Sequence, residues 1–77
     1  MRVLNVLAEW DEEASVWVVS SDDIPGLITE AETVEEVQKK LRVLIPELME
    51  ENGLENSENE PSAIEFTTRR RLDMHVN

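Results

Sequence analysis

Apolar and polar residues alternate along the first stretch of the chain, so that in an extended backbone Leu4, Val6, Ala8 and Trp10 fall on one side. Val3, Asn5, Leu7 and Glu9 fall on the other. This pattern predicts a strand over about residues 2–10. The run VWVVSS is apolar on both sides, Val16 and Val18 opposing Trp17 and Val19, which suits a strand in the middle of a sheet. The short acidic connection at residues 11–14 predicts an antiparallel hairpin between the two. In DDIPG, Asp22 and Asp23 can bond nearby backbone, and Pro25 fixes its own φ and holds Ile24 extended. Gly26 can then take the positive φ of a type II turn, so the chain reverses here.

LITEA, residues 27–31, resumes as a third strand, and Thr33 followed by Glu36 has the spacing of a capping box. From about residue 34 to 52 the apolar positions Val34, Val37, Leu41, Leu44 and Leu48 recur at intervals of three and four and make one stripe. Such a stripe is packing surface. Pro46 removes a donor and clashes with the carbonyl four residues earlier, which predicts a kink or a restart of the helix. Gly53 is the expected C-terminal cap. A polar segment at about 55–61 reads as a loop. A last extended segment over about 62–72 puts Ile64, Phe66 and Leu72 on one face, with Met74 and Val76 continuing that phase and Arg69, Arg70 and Arg71 interrupting it.

The expected architecture is α+β: a single two-layer domain over residues 1–77, in the order βββαβ, with a mainly antiparallel sheet and one helix on one face. One helix covers one face only. Because the first two strands carry apolar residues on both sides, a second layer is expected from elsewhere: a second copy in a homodimer, another protein, or the C-terminal residues folding back.

Composition narrows the function class. The 77 residues carry 18 acidic and 7 basic side chains, for a net charge of −11. A surface so negative repels nucleic-acid backbones and steers toward basic partners, more weakly as salt rises. With no cysteine there is neither a disulfide framework nor a thiolate metal site, which fits a reducing cytoplasm. The N-terminal apolar run is broken by Asn5 and Glu9 and lacks a signal-peptide cleavage pattern. No stretch reaches the roughly 20 apolar residues of a membrane span.

The segment VWVVSSDDIPGLITEAETVEEVQKKLRVLIPELMEENG resembles the HicB-like antitoxins, in which an Asp-x-Pro-Gly turn precedes a Thr-x-Glu-Glu helix start, and is most similar to a small stand-alone branch of unknown function. The resemblance covers residues 3–53. It implies a partial RNase H-like fold without nuclease chemistry, often dimeric, that neutralises a small basic mRNA-cleaving toxin of the HicA type, and a bacterial origin. The Gly-Asp common before the helix-start threonine in that family is Ala31-Glu32 here. Residues 62–77 are too few for the DNA-binding helix-turn-helix module of many members, so promoter binding is not expected.

Enzymatic alternatives have less support in the residues. A metal-dependent nuclease would need carboxylates converging on two ions about 3.5–4 Å apart. Glu9, Asp11, Asp22, Asp23 and Glu30 are the candidates, all at expected strand ends or turns where acids also serve as solvated caps. His75, the sole histidine, lies near the chain end with no cysteine to activate. The arginine triplet, if extended, points to both sides of a strand and has no aromatic residue within it to stack a base. Edge protection or local charge pairing accounts for it better. The expectation is therefore a non-catalytic binding module without metal or cofactor, with Asp22, Asp23, Glu30 and Glu32 facing the partner and Trp17 as an apolar anchor.

Overall fold

The computed structural model describes residues 2–53 and 62–75. The expected loop at 55–61 and Val76 lie outside the described residues. Four strands and one helix follow in the order β1 (Arg2–Asp11), β2 (Val16–Ser20), β3 (Ile28–Ala31), α1 (Val34–Glu51) and β4 (Ser62–Arg69). The fold is α+β, a mixed sheet of order β3-β2-β1-β4 with α1 packed on it. The strand that is apolar on both sides, β2, is an inner strand. Pairing is antiparallel between β1 and β2 and between β2 and β3, and parallel between β1 and β4.

The alternation in β1 is what orients the sheet. Leu4, Val6 and Ala8 are buried with Val19 and Ala31 beneath Val37 and Leu41 of α1. Ile64 and Phe66 stand beside Leu4 and Val6 in the parallel register and share that face. At the tight end of the β1–β2 hairpin, Asp11 Oδ1 accepts from the backbone N–H of Glu13 and Ala14, and Ser15 takes a positive φ of 55°.

The DIPG reversal is a type II turn and also part of the core. Leu27 N–H donates to the Ile24 carbonyl at 3.1 Å, with Pro25 and Gly26 between them and Gly26 at φ 82°. Ile24 and Leu27, which flank the turn, are both buried. A Cβ at position 26 would meet Leu48 at 3.5 Å, so the end of α1 seats directly on this turn.

Thr33 caps α1 with an extended backbone and a hydroxyl that accepts from Glu36 N–H at 3.1 Å. The helix is one continuous element through Pro46 and does not restart there. Pro46 and Arg42 are exposed, so the carbonyl deprived of its N–H partner can turn to water. At the other end Asn52 N–H donates to Leu48 O, Gly53 N–H donates to Glu50 O, and Gly53 adopts φ 65°. The Asn52 amide also donates to the Pro25 carbonyl, tying the helix end to the turn.

Strand β4 ends at Arg69, where the arginine triplet interrupts the last extended segment. Its last partner on β1 is Glu9, although β1 itself continues to Asp11 in its pairing with β2. Leu72 and Met74 stand 68% and 74% exposed, and the described C-terminal residues do not fold back as a cover.

Candidate functional site: the open face of the sheet

The strand registers fix what the face away from α1 displays. Directly paired residues share a face, so Ile28, Ser20, Leu7 and Thr67 form one row across all four strands. Glu30, Val18, Glu9 and Arg69 form the next. Val16 and Asp11 lie beyond that row, and Asn5 with Glu65, then Val3 with Ala63, lie before the first. The result is an apolar patch of Val3, Leu7, Val16, Val18 and Ile28 threaded by four carboxylates. Val3 is 50% exposed and Ile28 76%, while Leu7, Val16 and Val18 are half-buried. Among the described residues, no element covers this face.

A cleft of about 340 Å³ opens on it where β2 ends. Leu7, Asn5, Ser20 and Thr67 line its floor, and Asp22 and Asp23 form its rim. Its local structure follows from the early end of β2. Past Ser20 the chain leaves the sheet, so both backbone groups of Asn5 would lack an antiparallel partner. Ser21 and Asp23 substitute for the missing strand: the Ser21 hydroxyl donates to Asn5 O, and Asp23 Oδ2 accepts from Asn5 N–H at 2.7 Å and from its side-chain amide at 3.2 Å. Ser21 Oγ in turn accepts from the N–H groups of Asp23 and Ile24. Ser21 performs the local capping expected of the two aspartates. Asp22 makes no hydrogen bond or ion pair among the described residues and is exposed.

The five residues expected to meet a partner thus separate. Asp22 and Asp23 stand together at the cleft, one without a partner among the described residues and one holding β1. Glu30 lies on the open face of β3, where its backbone carbonyl accepts from Lys40 Nζ at 2.6 Å. Glu32 is exposed in the bend leading to α1 and lies outside the sheet. Trp17 is on the helix side, because its register partners are Trp10 and Ala31. It packs half-buried against the core and meets Trp10 edge-on with ring centroids 5.3 Å apart. It therefore belongs to the packed layer, and the apolar anchors of the open face are Val18 and Leu7. The alternation of VWVVSS shows two apolar sides, but only the pairing with β1 tells which one is covered.

Each arginine of the triplet meets a carboxylate. Arg69 binds Glu9, Arg71 Nε donates to Asp73 at 2.9 Å, and Arg70 lies 4.0 Å from Glu12. Arg70 also stacks over Trp10, 4.4 Å from the ring centroid, and Trp10 Nε1 donates to Glu12 at 2.6 Å. Local pairing is what the triplet does in the folded chain.

The carboxylates proposed for two-metal chemistry are not gathered. Among the described residues, no group of three or more His, Asp or Glu side chains could hold a metal ion. No helix of the described residues is long and apolar enough to cross a membrane.

Comparison with known proteins places these features in a family. The family model described as "Domain of unknown function (DUF1902)" matches residues 3–77. Among solved structures, a hypothetical protein from the extremely thermophilic bacterium Thermus thermophilus is similar with a TM-score of 0.80 and 49% identity, over 95% of this chain and 100% of that one. No curated protein matches the chain.

Proposed function

This chain belongs to the DUF1902 family of small domains of unknown function, and on that premise we propose that it is a non-catalytic protein-binding module whose open sheet face receives a small basic partner. The observation that carries this reading is the acid-rimmed cleft: an exposed Asp22, unpaired among the described residues, beside Leu7, the apolar side chain on a floor it shares with Asn5, Ser20 and Thr67. A partner's lysine or arginine can lay its aliphatic stem on Leu7 and Thr67 and bring its charge to Asp22, while Val18 and Ile28 accept apolar contact. The net charge of −11 supplies the long-range attraction.

In its finer form the proposal is the one implied by the HicB-like resemblance: an antitoxin, working in the cytoplasm, that occludes a HicA-type mRNA-cleaving toxin. The toxin must itself be basic to bind RNA, so an acidic face competes for the surface it uses. Co-expression with such a toxin tests this directly. The wild-type chain relieves growth arrest, Val18→Glu and Asp22→Lys abolish the relief, and Val43→Glu on the exposed side of α1 does not. Relief that survives both face substitutions would exclude this face, and magnesium-dependent RNA cleavage by the purified chain would replace the binding reading with a catalytic one.

A further inference from the structure

Strand β4 pairs with β1 along one edge only, and no other described element lies along its second edge. An eight-residue edge strand with an unpaired row of backbone donors and acceptors is a template for another strand. The segment is also self-complementary in charge, with Glu65 in the middle of β4, Arg69 at its end, and Arg70 and Arg71 in the two residues that follow it. Beside it, on the helix face, an apolar groove of about 610 Å³ lies between α1 and β4, bounded by Leu41, Ile45, Pro46, Ile64 and Phe66. Past its last pairing with β1, the same chain carries Leu72 and Met74, both largely exposed.

We propose that a second copy of this chain docks antiparallel along the free edge of β4, about a two-fold axis at Thr68, to make one continuous eight-stranded sheet. This register sets Glu65 opposite Arg71 of the partner subunit and Phe66 opposite the partner's Arg70. It also sets Ile64, on the groove floor, opposite the partner's Leu72. Every contact off the axis occurs twice, as an isologous interface requires. Opposed residues have like parity, so both helices lie on one side of the joined sheet and the even-numbered apolar side chains of both copies share a face. Glu65 has no ion pair among the described residues, and Arg71 is engaged only by its exposed neighbour Asp73. Strand pairing gives direction, and Leu72 laid against Ile64 at the groove supplies apolar burial.

The pairing uses the sheet edge and leaves the open face free, so it stands independently of the partner-binding proposal. Sedimentation equilibrium of the full chain, with circular dichroism to check folding, tests it. The wild type is dimeric at roughly tens of micromolar. Glu65→Arg and Arg71→Glu each raise the dimer dissociation constant about tenfold or more, since the symmetric contact is lost twice, and the double swap restores it. Leu72→Glu weakens the dimer, whereas Val18→Glu on the open face leaves it unchanged. A wild-type monomer at that concentration, a double swap that fails to recover, or a dimer dissolved by Val18→Glu but indifferent to Leu72→Glu would overturn the proposal.

Discussion

Asp22 and Asp23 are adjacent and chemically identical, yet the structure gives them different work, and alanine at each position should separate the two roles. Asp23→Ala removes the acceptor for Asn5 N–H at 2.7 Å and for the Asn5 amide at 3.2 Å. The backbone bond matters more, because β2 has already left the sheet and no strand can take its place. A bond to a charged acceptor contributes about 1.5–3 kcal/mol when sheltered. This one is at the surface, where water replaces part of it, so the expected loss is about 1 kcal/mol. For a domain of this size that lowers the melting temperature by about 4–8 °C. Asp22→Ala removes no internal bond and should leave stability within about 0.5 kcal/mol of wild type. Thermal and urea unfolding of the two variants side by side give the answer. Equal melting temperatures would refute the account of the Ser21–Asp23 clasp, and a larger loss for Asp22→Ala would reverse it.

Other substitutions probe separate parts of the structure. Gly26→Ala should destabilise by about 1–2 kcal/mol through its positive φ alone, since the added methyl meets Leu48 at an ordinary 3.5 Å; an unchanged urea midpoint would contradict the type II turn. Val37→Ala, at a fully buried position, should cost about 2 kcal/mol, while Val43→Ala, 60% exposed, should cost almost nothing; similar losses would mean that another side of α1 faces the sheet. Arg70→Ala should shift the tryptophan emission, because its guanidinium lies 4.4 Å from the Trp10 ring, with a stability loss of about 0.5–1 kcal/mol. An unaltered spectrum would remove that stack.

Much of this architecture is legible in the chain because local pattern and tertiary packing agree. Leu4, Val6 and Ala8 alternate into the core, Thr33 caps α1, and Gly26 has the φ that its turn demands. What escapes the sequence is fixed by contacts between distant segments. Trp17 looks like an anchor of an open surface because both sides of β2 are apolar, and only its pairing with Trp10 places it under the helix layer. Ile24 reads as a turn residue held extended by Pro25, yet it is fully buried because α1 ends over the turn. Asp23 resembles a local cap but reaches back 18 residues to β1, since the need it meets arises where β2 stops. The parallel pairing of β4 with β1 likewise depends on the crossover through α1, which no residue within β4 encodes.

The cleft is the least legible feature of all. Leu7 and Asp22 come together only because β1 and the end of β2 are neighbours, and this combination of one apolar side chain on the floor and a carboxylate unpaired among the described residues is the basis for assigning a basic partner. Amide chemical-shift mapping of the labelled chain, titrated with a purified HicA-type toxin at low and then high salt, addresses that assignment most directly. The account predicts perturbations concentrated at Leu7, Val18, Asp22, Ile28 and Glu30, with affinity falling as salt rises. Perturbations confined to the exposed side of α1, or no binding at low salt, would contradict it.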